Sequence, residues 1–298
     1  MQANPLVSVA IITYNQKEFI AEAIESALMQ DYRPIEIVVG DDCSSDGTEE
    51  ILKKYQSIYP DIVKIIRSQK NIGATGNSNN VHFACTGKYV AWLGGDDLML
   101  QGKLKKQVAF LEANPTYNLV YHNLDVFEST TNKHLFYFND KKNCRTGNIA
   151  TLIKYGSFNG ACATMVKREA APSYGYNTNL PVAADWLFWI ENLADGGSVG
   201  YINEVLGRYR RHEGNVTRKN SKGAPQAYLD TLETCNIVSK KYHQYANEVK
   251  YRYSVVYRDG RKYGYIKFLL KSLQYNPLGL KTIAMLGLHL ISFGKFKK

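Results

Sequence analysis

Two adjacent aspartates offer the clearest chemistry in this chain. Asp96 and Asp97 follow an apolar run, residues 89–93, after the glycine pair Gly94-Gly95. The run predicts a buried strand, and the glycines allow the backbone to turn sharply where the strand ends. Two carboxylates placed together repel each other unless a cation compensates them, and a hard divalent cation that carries a diphosphate suits this task. The pattern predicts a metal site, although a solvated Gly-Asp turn is the alternative that these residues alone leave open.

The elements around the aspartates predict an α/β fold. Short apolar, β-rich runs alternate with segments in which apolar residues recur at helical spacing. This alternation is typical of a mostly parallel central sheet flanked by helices. We expect a loop or hairpin at residues 128–148. The predicted strands are residues 6–13, 35–39, 62–66, 89–93, 118–122 and 201–209, and the predicted helices are 17–29, 45–57, 75–84, 103–113 and 183–193.

Polar residues also follow the first two predicted strands. The first strand ends in Thr13-Tyr14-Asn15, and the second ends in a segment that contains Asp42. Open α/β sheets bind ligands at the carboxyl ends of their strands. An aromatic ring there can stack on a base, and an acid can accept a hydrogen bond from the base or from a ribose hydroxyl. The strand ends therefore predict a nucleoside diphosphate site, and the absence of GxGxxG and P-loop motifs argues against dinucleotide and P-loop chemistry.

Composition and charge narrow the class of protein. The chain has 298 residues, of which 45% are apolar, enough for a sizeable core. The five cysteines lack CxxC spacing and no signal peptide is visible, so we expect a cytoplasmic protein without a disulfide framework or zinc site. The chain has 37 basic and 27 acidic residues, and 13 of the basic and two of the acidic residues lie in 240–298. Residues 1–239 therefore contain 24 basic and 25 acidic residues. The positive charge therefore belongs to the C-terminal segment.

This basic segment suits an anionic surface such as lipid headgroups. Between Lys281 and Lys295 lie 13 uncharged residues, fewer than the ~20 that a spanning helix needs. The pattern favours a helix that lies in the membrane interface, so we expect peripheral contact with the inner face of the plasma membrane. A C-terminal helix packed on the protein's own core fits the same residues equally well.

The ordered series of motifs resembles family 2 glycosyltransferases with the GT-A fold. The resemblance covers roughly residues 5–215 and is carried by segments 7–15, 40–48, 71–79 and 87–97. It implies a nucleotide site formed by Thr13, Tyr14, Asn15, Asp42, Asn79 and Asp96. It also implies Mn²⁺ or Mg²⁺ bound by Asp96, Asp97 and His212. The chain departs from the family at Gly94, where members carry the first acid of an Asp-x-Asp motif, and at Ser78, where many carry Arg.

Asp185 resembles the catalytic base of the family. It opens a segment, Asp185-Trp186-Leu187-Phe188-Trp189, that is similar to the family's Glu-Asp-aromatic-x-x-Trp segment, with Ala184 in place of the Glu. Inverting transfer needs a carboxylate that takes the proton of the acceptor hydroxyl, and an apolar setting raises the basicity of that carboxylate. Asp185 taken alone is also a reasonable helix cap.

A basic segment, residues 208–215, follows the last apolar strand. Positive groups can stabilise a departing diphosphate, and alternate residues of an extended segment share a face. We therefore expect Arg208, Arg210 and His212 to face the diphosphate, with a solvated basic loop as the alternative. On the acceptor side, the resemblance implies contacts from Gly160 and Trp186.

The sequence thus predicts an inverting, metal-dependent glycosyltransferase of the hexosyltransferase type. It would move a sugar from a nucleotide diphosphate donor to a hydroxyl of a glycan or lipid-linked glycan in surface polysaccharide synthesis. We expect a GT-A-like catalytic domain at 1–220, with a nucleotide-sugar half at 1–100 and an acceptor half at 101–220, followed by a helical, basic extension at 221–298.

Two other functions stay open. Gly94 and Ala184, each in place of an acid, allow a non-catalytic sugar-nucleotide-binding or scaffolding member of a glycan assembly complex. A nucleotidyltransferase would normally carry a Gly-rich loop after the first strand, where this chain has Thr13-Tyr14-Asn15. We expect no nucleic-acid partner, because the basic excess is confined to the C-terminal segment and lacks a recognisable motif.

Overall fold

A mixed sheet flanked by helices forms the body of the protein. The computed structural model describes residues 3–139, 144–215 and 226–292. The strands found in these ranges are β1 (Val7–Thr13), β2 (Ile35–Asp41), β3 (Val63–Arg67), β4 (Tyr89–Gly94), β5 (Leu98–Met99), β6 (Tyr117–Glu128), β7 (His134–Tyr137), β8 (Met165–Lys167) and β9 (Ser198–Arg211). The helices are α1 (Ile20–Leu28), α2 (Thr48–Ile58), α3 (Gly73–Ala84), α4 (Lys103–Ala113), α5 (Ile149–Tyr155), α6 (Asp185–Asn192), α7 (Gln226–Lys241), α8 (Ala246–Asp259), α9 (Tyr265–Tyr275) and α10 (Leu280–Ile291).

The order of the strands brings several carboxyl ends to one edge. The order is β3-β2-β1-β4-β8-β6-β9-β5, with β7 paired to β6. Strands β1 to β4 are parallel, and the antiparallel β8 separates them from the parallel pair β6 and β9. In this register Thr13 lies opposite Asp41, and Ile12 lies opposite Gly94. The loops after β1, β2 and β4 therefore begin side by side, and β9 ends at the same edge.

Local sequence explains these elements. Strand β1 is rich in β-branched residues and its side chains are almost all buried, as in a central parallel strand with helices on both faces. Helix α1 buries Ile20, Ala23, Ile24 and Ala27, which recur at helical spacing and form one apolar stripe. In the segment 128–148, where we expect a loop or hairpin, β7 pairs with the end of β6 to form a hairpin.

The hydrophobic core extends from the sheet into the C-terminal helices. Helices α7 and α8 contribute buried apolar side chains to the same cluster, namely Cys235, Val238, Val249, Tyr253 and Val256. These two helices thus pack on the body of the protein. The sequence also predicts a linker at residues 218–224, which are polar and rich in helix-breaking residues, and these lie outside the described residues. Among the helices in the described ranges, none has the length and apolar character needed to cross a membrane.

Candidate active site

The loops after β1 and β2 are joined by hydrogen bonds that leave Tyr14 open. The Asn15 N–H donates to Ser44 Oγ at 2.8 Å, and the Ser45 N–H donates to Asn15 Oδ1 at 2.9 Å. Asn15 has a positive φ of 51°, which asparagine tolerates better than most residues. Tyr14 immediately precedes Asn15 and is 48% exposed. Its ring is available at the sheet edge, where stacking on a base was predicted.

Two other predicted nucleotide residues use their polar atoms within the chain. Asp42 is 2% exposed and accepts hydrogen bonds from the N–H groups of Ile72 at 2.8 Å and Gly73 at 2.9 Å. The amide of Asn79 accepts from the N–H of Tyr176 at 2.7 Å and donates to its carbonyl at 2.9 Å. Asp42 therefore fixes the start of α3, and Asn79 fixes a loop of the acceptor half. Direct nucleotide contact by either residue stays a prediction.

Strands β1 and β4 approach so closely at their ends that the position of Gly95 requires glycine. The Gly95 N–H donates to the Ile12 carbonyl at 2.9 Å. A Cβ at this position would lie 2.5 Å from Gln16 Oε1 and 2.9 Å from Thr13 Oγ1. Both of these oxygen atoms are buried and have no hydrogen-bond partner among the described residues. Two oxygen atoms without partners thus lie beside the turn that leads to Asp96.

Asp96 and His212 converge at this edge of the sheet. Asp96 Oδ2 lies 2.9 Å from His212 Nε2 and accepts from Asn215 Nδ2 at 3.1 Å. Asn215 Oδ1 also accepts from the His212 N–H at 2.7 Å, which fixes the turn after β9. A carboxylate oxygen and an imidazole nitrogen are suitable ligands for Mn²⁺. The described residues contain no group of three His, Cys, Asp or Glu side chains that could hold a metal, so further ligands would come from other groups.

Asp97 faces the protein interior. It is 4% exposed, its Oδ1 accepts from the Arg210 N–H at 2.9 Å, and the Cys162 thiol donates to its carboxylate. Burial, reinforced by the charge of Asp96, raises the pKa of Asp97 well above its usual range. Nearby, burial lowers the pKa of Lys103 to about 8. Asp96 is therefore the carboxylate of the pair that lies against His212, and a metal contact from Asp97 stays a prediction.

Arg208 and Arg210 of β9 lie on one face of the strand, as predicted. The guanidinium carbons of Arg208 and Arg210 lie 3.8 and 4.8 Å from the centre of the Phe127 ring. Arg208 Nε donates to Asp125 at 2.8 Å, and Arg210 donates to Glu22 at 2.6 Å. Both guanidinium groups thus have carboxylate partners within the chain. A role at the diphosphate would require them to exchange these partners and stays a prediction.

Asp185 is the first residue of α6 and is half-buried. Burial raises the pKa of its carboxyl, and a hydrogen bond from the Trp186 N–H at 2.8 Å partly offsets this effect. The preceding loop is anchored by Asp230 of α7, which accepts from the N–H groups of Val182 at 2.7 Å and Ala183 at 2.9 Å. A buried carboxylate from the C-terminal helices therefore positions the predicted base.

The predicted acceptor residues lie deeper than expected. Trp186 is 3% exposed, and its indole Nε1 donates to the Leu152 carbonyl at 3.0 Å. At Gly160, a Cβ would lie 2.8 Å from a side-chain carbon of Leu124, so glycine lets this segment approach β6. Both residues shape the acceptor half through packing. Direct contact with an acceptor stays a prediction.

Comparison with known proteins identifies the family. The model of glycosyl transferase family 2 matches residues 8–174, more than half of the chain. The chain belongs to glycosyl transferase family 2. The match includes Asp96 and Asp97, whereas Asp185 and His212 lie beyond its end.

Relatives of this family 2 glycosyltransferase come from several organisms. EpsE of Bacillus subtilis is 40% identical over 128 residues, which are 43% of this chain and 46% of EpsE. A Mycobacterium tuberculosis protein is 29% identical over 208 residues, 69% of this chain and 59% of that protein. The chain thus spans about half the length of these two relatives. WfaP of Escherichia coli, a UDP-Glc:alpha-D-GlcNAc-diphosphoundecaprenol beta-1,3-glucosyltransferase, is 30% identical over 227 residues, 73% of this chain and 82% of WfaP.

Solved structures confirm the fold of this family 2 glycosyltransferase. TarS of S. aureus superposes with a TM-score of 0.67 at 16% identity, over 93% of this chain and 82% of that chain. The mannosyltransferase PcManGT of Pyrobaculum calidifontis superposes with a TM-score of 0.57 at 18% identity, over 99% of this chain and 85% of that chain. At these identities the likeness establishes the fold alone. The fold is GT-A-like, as the motifs predicted.

Two residues of the site in this family 2 glycosyltransferase were not predicted from the sequence. Asn215 contacts both Asp96 and His212, and its place three residues after the predicted histidine was a usable signal. Asp230 lies on a helix beyond the family segments, and no local pattern marks it. Its contribution depends on a contact between distant parts of the chain.

Proposed function

We propose that this protein transfers a sugar, with inversion and with Mn²⁺ or Mg²⁺, from a nucleoside diphosphate donor to a hydroxyl of a glycan or lipid-linked glycan. The observation that carries the proposal is the pairing of Asp96 with His212, 2.9 Å apart at the edge where β1, β2 and β4 end. Relatives support the classes of donor and acceptor, because WfaP is named for UDP-Glc and a diphosphoundecaprenol-linked GlcNAc. A structure of TarS in complex with UDP-GlcNAc also supports a nucleotide-sugar donor.

The donor atoms at this edge fit a divalent cation. Asp96 and His212 would hold it, and Asn215 would keep the Asp96 carboxylate in place. When bound, the cation supplies positive charge that stabilises the diphosphate as it leaves. The structure of PcManGT in complex with GDP-Man and Mn²⁺ supports the choice of metal.

In the proposed reaction Asp185 is the general base. Its carboxylate takes the proton of the acceptor hydroxyl, and the hydroxyl oxygen attacks the anomeric carbon. The bond from that carbon to the diphosphate oxygen breaks as the new bond forms, its electron pair leaves with the diphosphate, and the anomeric configuration inverts. The raised pKa of Asp185 supports this role, because a more basic carboxylate accepts the proton more readily near neutral pH.

Helix α10 supports contact with a membrane surface. It buries the polar residues Thr282 and His289, whereas Leu280 and Ile291 are 80% and 78% exposed. A helix that turns apolar residues outward is typical of one that lies in a lipid interface. No acidic residue follows Asp259 in the sequence, while the described part beyond it contains Arg261, Lys262, Lys267, Lys271 and Lys281. We therefore assign the exposed face of α10 to a bilayer with anionic lipids, where a lipid-linked acceptor would be found.

The test of the proposed function is transfer to a lipid-linked acceptor from a panel of nucleotide sugars with Mn²⁺. We expect Asp185→Asn to lower kcat by roughly 10²–10⁴-fold with an unchanged thermal midpoint, because the amide cannot accept the proton. The matched control is Asp61→Asn, which neutralises an exposed carboxylate in the turn between α2 and β3 and should leave kcat unchanged. Wild-type turnover by Asp185→Asn would show that another group is the base, and donor binding without transfer to any acceptor would favour the non-catalytic alternative.

A further inference from the structure

A cavity of about 270 Å³ lies beside the end of α5 and has no part in the reaction described so far. At roughly 30 Å³ per water molecule it has room for about nine waters, comparable with the space taken by one sugar ring. Its walls combine aromatic rings with a few polar groups, contributed by Phe138, Asn139, Arg145, Tyr155, Ser157 and Phe158.

Three positively charged side chains lie close to Tyr155. The guanidinium carbon of Arg145 lies 3.7 Å from the centre of the Tyr155 ring, and Lys154 Nζ lies 5.5 Å from it. Arg252 donates to the Tyr155 carbonyl at 3.3 Å. In the ranges that the structure describes, none of these three cations forms a salt bridge. Cations held together in this way favour an anion between or beside them.

Asn139 and two aromatic rings also line the cavity. The Asn139 side chain is 3% exposed, and its Nδ2 donates to the Phe158 carbonyl at 2.8 Å, which fixes the orientation of the amide. Its Oδ1 is buried and has no partner among the described residues. The rings of Phe138 and Phe158 offer flat apolar surfaces for the face of a sugar.

One hydrogen bond connects the helix that ends at the cavity with the helix that begins at the predicted base. Trp186, which follows Asp185, donates to the Leu152 carbonyl of α5, and Tyr155 is the last residue of that helix. We propose that the cavity binds a sugar of the acceptor that carries a phosphoryl or carboxylate group. Arg145 contacts the anionic group, and the rings of Phe138 and Phe158 contact the face of the sugar. The assignment to the acceptor rests on the proposed function, while the anion preference of the cavity does not.

Binding of glucose 1-phosphate, glucuronate and glucose to the full-length protein tests this proposal. Saturation-transfer NMR, with UDP and Mn²⁺ present to occupy the donor site, measures each dissociation constant. We expect an anionic sugar to bind at least roughly tenfold more tightly than glucose, as one charge-assisted hydrogen bond allows. Preference for glucose 1-phosphate assigns the group as phosphoryl, and preference for glucuronate assigns it as carboxylate.

Substitutions at Arg145 separate a specific site from general charge. Arg145→Gln should remove the preference for the anionic sugar, and Arg145→Lys should retain part of it. Lys105→Gln, which removes a charge from an exposed side chain of α4, should retain all of it. Equal binding of the three sugars by wild type would overturn the proposal. An unchanged preference in Arg145→Gln, with a thermal midpoint like that of wild type, would overturn it as well.

The same measurement distinguishes this inference from the proposed function. Asp185→Asn lacks the proposed base but has an intact cavity, so it should keep the preference for the anionic sugar. A wild-type protein that keeps the preference yet transfers no sugar would refute the proposed function and leave the anion site standing. Efficient sugar transfer by a wild-type protein that shows no preference for the anionic sugar would support the proposed function and refute the anion site.

Discussion

Replacing Asp230 tests whether the C-terminal helices position the catalytic loop. Asp230 Oδ2 accepts from the N–H groups of Val182 and Ala183, and its Oδ1 accepts from Gln226 Nε2 at 2.7 Å. The side chain is 1% exposed, so water cannot easily replace these bonds. Asp230→Ala therefore leaves two N–H groups without an acceptor just before Asp185.

The size of the effect follows from the number of bonds lost. A hydrogen bond to a charged acceptor contributes about 1.5–3 kcal/mol, so losing the two from Val182 and Ala183 costs about 3–6 kcal/mol before the bond from Gln226 is counted. For a chain of this size that lowers the thermal midpoint by about 6 °C or more. In Asp230→Asn one oxygen remains, and neutral hydrogen bonds are about half as strong, so about half of that loss is expected. A loop displaced by about 1 Å can lower the rate by roughly 100-fold, which sets the expected fall in kcat for Asp230→Ala.

The assay combines transfer kinetics with thermal unfolding. Asp230→Ala should lower kcat while the KM for the donor stays near the wild-type value, because Asp96 and His212 lie at another part of the site. Asp61→Asn again serves as the control, since it removes an exposed carboxylate without a positioning role. A kcat equal to that of wild type in Asp230→Ala, at a temperature where the variant is folded, would refute the positioning argument.

Three further predictions concern metal, membrane and pH. His212→Ala should raise the Mn²⁺ concentration needed for half-maximal transfer by at least roughly tenfold, and EDTA should abolish transfer by wild type. Full activity in EDTA would contradict the metal assignment. Leu280→Glu combined with Ile291→Glu should weaken binding to phosphatidylglycerol vesicles at least roughly tenfold in a flotation assay. The reason is that each apolar side chain contributes about 1.5–3 kcal/mol when it is buried. The control Ile58→Glu, at a residue that is 54% exposed, should leave vesicle binding unchanged. If vesicle flotation is unchanged and the substitutions instead convert a dimer into a monomer, the exposed face of α10 is an interface between two copies of the chain. Burial lowers the pKa of His82 from 6.5 to about 4 in the folded protein. Between pH 6.5 and about 4 the unfolded chain therefore binds one proton more than the folded protein. The free energy of unfolding should fall by about 3 kcal/mol as the pH is lowered through this range. In denaturant titrations His82→Gln should remove most of this slope, and an equal slope in the variant would show that other groups cause it.

The strand ends of the nucleotide half were predictable because local sequence determines them. The apolar run at 89–93 and the glycines after it are sufficient to end β4 where the aspartates begin. Strand β6 shows the limit of the same reasoning. We predicted 118–122, whereas the strand continues to Glu128 and pairs there with β7 and β9. Buried Leu124 and Val126 alternate with Asn123 and Asp125, so the period of two was a usable signal for the longer strand that the apolar run alone did not reveal.

The orientation of individual side chains was less predictable than their location. Asp96 and Asp97 are neighbours in sequence, yet one lies against His212 and the other accepts from the Arg210 N–H inside the protein. The choice depends on β9, more than a hundred residues further along the chain. The outward apolar face of α10 likewise depends on the polar contact between Ser272 and Thr282 that holds the helix against α9.

Gly94 shows how a departure from the family motif is compatible with the site. The family's first acid is absent here, and a Cβ at Gly94 would lie 2.8 Å from Asp96 Oδ1 and 3.0 Å from Asp97 Oδ2. Any side chain at this position therefore collides with the two carboxylates in their present arrangement. In that arrangement Asp96 already has His212 and Asn215 as partners on its other oxygen. The glycine is thus part of the geometry that places Asp96 against His212, and the loss of the first acid does not by itself argue against a metal at this edge.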